Sequence, residues 1–209
     1  MLISHDKKFL FTHIQKTAGS SLTLQLSELI PDLKQYMGTH DHALWAKNRA
    51  EFVWSEYYKV AFVRNPWDRL VSWYLMITQV SDYLKQQAKQ GSVNKLWGYV
   101  LENSSSFEEF LYQCVDTIDD IDGKKSFMFN QLDYVTDDAG NIIVDFIGRF
   151  EQLEHDVQHV FNTLGFSGIA LQHHNATART HYRDYYNNAC RRLVERRYAK
   201  DIDFFAYTF

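Results

Sequence analysis

Apolar and polar positions along this chain change period twice in the same way, and each change reads as a strand, a turn and a helix. Phe9 to Ile14 is a short, apolar, β-prone run; from Ser20 onward Leu22, Leu26, Leu29 and Ile30 recur at the spacing of one helix face. Val60 to Val63 is a second short buried strand, after which Asn65 suits a helix cap, Pro66 the first helical position, and Trp67 onward a helix. Two such units joined by a helical crossover predict a parallel sheet with right-handed connections, and ligands of such sheets lie beyond the carboxyl ends of the strands.

Between and after these units the pattern is less regular. Pro31 marks a stop, Asp32 to Gly38 reads as a connection, and a second helix is expected over Ala43 to Phe52. Ser106 with Glu109 matches a capping box opening an amphipathic helix through Cys114 and Ile118. Leu132 to Val135 and Ile142 to Ile147 flank the turn Thr136 to Asn141 and read as a hairpin or two adjoining strands. Gln152 to Leu164 is amphipathic, with Leu153, Val157, Val160, Phe161 and Leu164 on one side and His155 and His159 on the other. A polar loop, His173 to Arg183, leads to a final helix through Tyr198, whose Arg191, Arg192, Arg196 and Arg197 read as a wet face.

The links between strand and helix carry the chemistry. Gln15 to Gly19 holds a lysine, small residues that admit a ligand to the backbone, and a glycine able to take positive φ, followed by the hydroxyls of Ser20 and Ser21. Backbone N–H groups at a helix start carry partial positive charge, so the turn is a natural anion site to which Lys16 adds a full charge. It is not a Walker A loop, because Lys16 precedes Gly19 instead of following the last glycine. An ordinary β-turn-α junction with a solvated lysine fits the same residues. In the second unit Arg64 stands at the end of its strand, and Arg69 and Ser72 share a helix face near its start. These groups suit a second phosphate, or else a surface arginine paired with Asp68.

Composition narrows the picture. At 209 residues, with 45% hydrophobic and 16% aromatic residues, the chain is expected to fold as one domain, 1–209, with a substantial core. A net charge of −4 argues against binding nucleic acid or an anionic membrane through the overall field, so any anion site is local. No apolar run approaches the ~18 residues of a membrane span and no leader is evident. A soluble, cytoplasmic protein is therefore expected, with an anchor outside this sequence left open. Cys114 and Cys190 suggest neither a disulfide framework nor a zinc site. His155 and His159 stand one turn apart, but H-E-x-x-H and a third ligand are missing, which favours a solvated face over a metal site. Tyr83, Trp97, Tyr99, Phe107, Phe127 and Phe129 either line an acceptor pocket or are core.

Taken together, Thr12 to Leu22 (THIQKTAGSSL) and Phe62 to Tyr74 (FVRNPWDRLVSWY) resemble the two nucleotide-binding signatures of sulfotransferases that use 3′-phosphoadenosine 5′-phosphosulfate (PAPS), in particular the Golgi-type carbohydrate branch and its bacterial relatives. The resemblance continues through Ile147 to Leu153, Asn175 to Tyr186 and Tyr198 to Asp203, leaving Ser81 to Asn130 as the most individual part and the expected acceptor-specificity segment. It implies an α/β, three-layer P-loop-like fold with a central parallel sheet flanked by helices. It implies also that Lys16, Thr17, Ala18, Gly19, Ser20 and Ser21 hold the 5′-phosphosulfate, that Arg64 and Ser72 hold the 3′-phosphate, and that Arg179, Tyr182 and Arg183 close over the nucleotide. Gln15 departs from the family's frequent proline and is expected to loosen the turn.

By the same resemblance the reaction is in-line sulfuryl transfer to a hydroxyl, most simply on a carbohydrate or glycolipid, with 3′-phosphoadenosine 5′-phosphate (PAP) as product and no metal. Lys16 stabilises the leaving phosphate, and His40, with His42 second, is the base. Two rivals remain: a small-molecule kinase using ATP and Mg²⁺, opposed by the position of Lys16 and the lack of a Walker B aspartate, and a non-catalytic module that binds PAP. Acceptor identity and oligomeric state are not legible.

Overall fold

The computed structural model describes residues 1–90, 94–120, 123–171 and 179–209. In chain order the strands are β1 (Leu2–Ser4), β2 (Phe9–Thr12), β3 (Lys34–Gln35), β4 (Tyr58–Val63), β5 (Ile118–Asp120), β6 (Gly123–Lys125) and β7 (Phe146–Arg149). The helices are α1 (Gly19–Leu29), α2 (Ala43–Asn48), α3 (Pro66–Thr78), α4 (Asp82–Lys89), α5 (Lys95–Asn103), α6 (Phe107–Gln113), α7 (Leu153–Thr163), α8 (Asn188–Arg197) and α9 (Ala199–Phe205). The chain forms two compact units, Met1–Arg64 with Gln131–Ala176, and Asn65–Asn130 with Thr177–Phe209.

The first unit is mixed α/β, built on a five-stranded sheet of order β3-β1-β2-β4-β7. As predicted, β2 and β4 are parallel neighbours, with Phe11 beside Val60, and β4 runs parallel to β7, with Phe62 beside Gly148. The antiparallel edge formed by β1 and β3 was not predicted. Side chains alternate across the pleat. Phe9, Phe11, Val60 and Phe62 pack with Leu22 and Leu26 of α1 and with Val157, Val160 and Phe161 of α7. Leu10, Ala61 and Val63 on the other face are buried as well, which explains why both central strands read as continuous apolar runs. Gly148 is dictated by this packing, because a Cβ there would lie 2.4 Å from Cε1 of Phe62.

Three elements of this unit differ from expectation. The second helix stops at Asn48 because Phe52 is drawn into an aromatic cluster, 4.3 Å from Tyr57 and 5.7 Å from Tyr36. Leu132 to Tyr134 is a 3-10 turn instead of a strand, since Tyr134 is fully buried and donates its hydroxyl to Oε1 of Gln15, 2.9 Å. Only a bridge between Thr136 and Ile142 remains of the hairpin, around a turn in which Asp137 Oδ1 accepts from the N–H groups of Ala139 and Asn141. The connection after Pro31 contributes β3, and Asp32 is its anchor, accepting from Ser4 Oγ and from the N–H groups of His5 and Asp6.

The second unit is helical and aromatic. Trp73 and Phe110 both meet Phe127 edge-on, and Tyr74 packs on Phe107 and Phe110. Of the six aromatics proposed for an acceptor pocket, Phe107 and Phe127 are thus core, and Tyr83 is 69% exposed. The cap of α6 is a shifted capping box: Ser106 Oγ accepts from Glu109 N, while Glu109 accepts from Ser105 N and Oγ. This helix ends at Gln113, short of Ile118, because Tyr99 Oη accepts from the N–H groups of Val115 and Asp116 and turns the chain into the β5–β6 hairpin. The final helix ends at Arg197 and is followed by α9; Arg197 is not wholly solvated, since its Nη2 donates to the carbonyl of Leu111, 2.8 Å.

Gly148→Ala should lower stability by about 1–3 kcal/mol, the usual cost of overpacking a filled core, and Phe62→Leu in the same chain should recover part of it. Unchanged urea midpoints for Gly148→Ala would show that the ring of Phe62 yields freely.

Candidate active site

The loop from His13 to Ala18 joins β2 to α1 and has two residues in the left-handed region, Lys16 at φ 67° and Ala18 at φ 68°. Each costs about 1 kcal/mol or more for a residue with a Cβ. The signs alternate, since φ of Thr17 between them is negative, and alternation of right- and left-handed residues is the pattern from which anion-binding concavities of N–H groups are built. The first turn of α1 has no acidic residue to offset its partial positive charge. Thr17 Oγ1 donates to the carbonyl of Ile14, 2.9 Å, so its hydroxyl closes the loop. Ser20 is exposed and Ser21 is buried.

Gly19 has a different role from the expected one. Its φ is not positive; instead a Cβ would lie 2.0 Å from Cδ2 of His13, whose ring fills that space. Gln15, expected to loosen the turn, anchors it through the hydroxyl of Tyr134.

Arg64, 6% exposed, follows β4 and donates Nη1 to the carbonyl of Lys16, 3.1 Å, with its guanidinium 3.7 Å over the ring of Phe150. Its backbone is held on both sides by one amide: Arg64 N donates to Gln131 Oε1 and Gln131 Nε2 donates to Arg64 O, both 2.8 Å. Gln131 and Phe150 were missed as supports of the site, because a glutamine and a phenylalanine carry no local signal of a partner so far along the chain.

The histidines divide by environment. His40 Nδ1 lies 2.9 Å from the carbonyl of His13; a carbonyl only accepts, so Nδ1 holds the proton and Nε2 of the neutral ring carries the lone pair. The His13 ring is 4.7 Å from that of His40, and burial above all, seconded by the neighbouring His40, the amino terminus and Lys16, which disfavour a second positive charge, holds its pKa well below the ordinary histidine value. His42 is sandwiched between Trp45 at 4.4 Å and Tyr134 at 4.2 Å, and burial lowers its pKa despite the opposing pull of Asp133. Of the two candidate bases, His40 thus has the better-defined proton donor and acceptor.

In the second unit, Asn65 caps α3 as predicted, its Oδ1 accepting from Trp67 N and Asp68 N. Ser72 is buried, and Arg69, 1% exposed, lies 5.0 Å over Trp73. Asp68 pairs with Arg179, and Nη1 of Arg179 is buried with no hydrogen-bond partner. Arg183 Nη2 donates to the carbonyl of Phe209, 2.7 Å, and Tyr182 opens the 3-10 turn Tyr182–Tyr185. The part of the predicted polar loop from residues 172 to 178, with His173 and Asn175, lies outside the described residues. Thus Lys16, Thr17, Ala18, Gly19, Ser20, Ser21, His40, His42 and Arg64 belong to the first unit, and Ser72, Arg179, Tyr182 and Arg183 to the second.

Among the described residues no cluster of three or more His, Cys, Asp or Glu side chains is placed to hold a metal, and no helix is long and apolar enough to cross a membrane. His155 is 83% exposed on its side chain and bonds Asp156. Cys114 and Cys190 are free and buried, and burial pushes the Cys114 thiol up to about 11.

A family model described as the sulfotransferase family matches residues 1–208, through both units, so the chain belongs to the sulfotransferase family and is a transferase of sulfuryl groups. Curated proteins and solved structures provide no match to set beside it.

His13 and His42 predict how stability depends on pH. Both have folded-state pKa values below 6.5, so as pH falls through 6.5 the unfolded chain binds protons that the folded chain refuses, and stability declines from there downward. Melting temperatures between pH 8 and 5 should fall below about pH 6.5, and His42→Phe should flatten part of the slope. A flat wild-type profile would contradict the buried neutral histidines.

Proposed function

We propose that this protein moves the sulfuryl group of PAPS to an acceptor hydroxyl by in-line transfer, releasing PAP. The observation that carries the proposal is the β2–α1 loop, where Lys16 and Ala18 are both left-handed, a backbone pattern suited to an anion, beside the charge of Lys16. In this reading the backbone of Lys16 to Ser21 and the hydroxyls of Ser20 and Ser21 hold the 5′-phosphosulfate. Arg64 and Ser72 take the 3′-phosphate, and Arg179, Tyr182 and Arg183 close over the nucleotide. Support for Arg179 comes from its unpartnered Nη1, a buried donor that a phosphate oxygen would satisfy, with Asp68 fixing the other arm. Support for a three-layer, P-loop-like fold comes from the parallel strands β2, β4 and β7 and the strand–loop–helix order of the anion site.

The bond between sulfur and the bridging oxygen breaks as the bond to the acceptor oxygen forms. Negative charge grows on the bridging oxygen, where Lys16 stabilises it. The acceptor proton passes to Nε2 of His40, whose tautomer is set by the carbonyl of His13. A sulfuryl group carries less charge than a phosphoryl group, so the residues named suffice without a metal. A carbohydrate or glycolipid hydroxyl is the acceptor this reading favours.

Lys16→Ala should lower turnover by ~10²–10³, the usual loss for one preorganised donor at a developing charge, with a much smaller change in PAP affinity. His40→Ala should lower turnover and leave PAP affinity intact. Near-normal turnover of Lys16→Ala with a labelled sulfuryl donor would refute the assignment, and an unchanged rate for His40→Ala would move the base elsewhere.

A further inference from the structure

Within the first unit, one short segment holds both Arg64 and the β2–α1 loop. The turn Leu132–Tyr134 opens on Gln131, and Gln131 and Tyr134 are both fully buried. The Gln131 amide accepts from the N–H of Arg64 and donates to its carbonyl, each at 2.8 Å, the two-way pairing that a neighbouring strand would otherwise supply. Tyr134 donates its hydroxyl to Oε1 of Gln15 in the loop, 2.9 Å, and its ring lies 4.2 Å from that of His42. The turn between them is itself bonded: Gln131 O accepts from Tyr134 N, and Leu132 O accepts from Val135 N and from Thr136 Oγ1. Arg64 Nη1 in turn donates to the carbonyl of Lys16, the residue after Gln15, 3.1 Å. The bonds therefore close a ring. It runs from Gln131 to Arg64, across to Lys16, back one residue to Gln15, on to Tyr134, and through the turn to Gln131 again.

We propose that Gln131 and Tyr134 are positioning residues: together they fix the guanidinium of Arg64 against the loop, and so set how strictly the protein requires a phosphate at each end of the ribose. The proposal rests on the sulfuryl-transfer reading and adds to it the residues that control donor specificity. Gln131 and Tyr134 act through Arg64 and Gln15 and have no role in the chemistry itself. A ligand held at two points gains fully from both only when their separation is preset, since ordering either point on binding costs part of the affinity. A closed ring presets it, because opening the ring at any bond frees Arg64 relative to Lys16. Gln15 and Arg64 are buried as well, so a partner lost from the ring is not readily replaced by water.

The probes are PAP and adenosine 5′-phosphate (AMP), which lacks the 3′-phosphate; calorimetry on the whole chain gives the ratio of their dissociation constants, Kd(AMP)/Kd(PAP). Tyr134→Phe, on the loop side of the ring, should lower that ratio about three- to tenfold, the worth of one hydrogen bond. Gln131→Met, on the Arg64 side, should lower it by a similar factor. Because either change opens the same ring, the double variant should lose much less than the product of the two. A tyrosine with only a structural role would weaken PAP and AMP alike and leave the ratio where it was; that result for a folded Tyr134→Phe would overturn the proposal. So would a double variant whose loss equals the product. Should Tyr134→Phe fold poorly, Gln15→Met combined with Tyr134→Phe removes both ends of the bond, leaves neither unpaired, and carries the same expectation. A wild type that binds PAP no more tightly than AMP would instead remove the two-phosphate reading beneath the proposal.

Discussion

The backbone of the β2–α1 loop is the constraint on which the rest depends. Lys16 and Ala18 are held left-handed without being glycine, which is unfavourable locally and persists only because neighbours fix it. Thr17 closes the loop onto Ile14, Gln15 ties it to Tyr134, and Arg64 binds the carbonyl of Lys16 from the end of β4. The parallel register of β2 with β4 sets the distance over which Arg64 reaches the loop. The ring of Phe150, just after β7, supports the guanidinium from one side. The sheet thus acts as a jig for a short, strained segment.

The same economy appears around the histidines. The carbonyl of His13 fixes the tautomer of His40, while the ring of His13 occupies the space that makes Gly19 obligatory. One residue therefore links the start of α1 to the candidate base. Substitution at Gly19 would push on His13 and, through it, on His40.

Much of the sheet and the loop was legible in the sequence, since short apolar runs followed by helical periodicity leave few alternatives for β2–α1 and β4–α3. The Asn65-Pro66 cap was legible because its chemistry is local. What escaped reading depended on distant partners. Leu132 to Val135 looks like a strand until Tyr134 is seen to be pinned by Gln15, and Phe52 looks helical until it joins Tyr36 and Tyr57. Gly19 was assigned the positive φ that belongs to Lys16 and Ala18, because a glycine's need for space, here the ring of His13, is invisible without the fold. A surface arginine paired with Asp68 stood as the alternative to a phosphate site; Asp68 does bind an arginine, Arg179, 111 residues further on.

The central claim is that the loop and its companions bind a nucleotide with phosphates at both ends of the ribose. Its most direct test is the melting temperature with PAP, and separately with ATP plus Mg²⁺. At about 100 times its dissociation constant a ligand adds ~2.7 kcal/mol, which for a chain of this size is a shift of roughly 5–10 °C. The account predicts that shift with PAP and little with ATP and Mg²⁺. A shift with ATP and Mg²⁺ alone would contradict it and turn the assignment toward phosphoryl transfer.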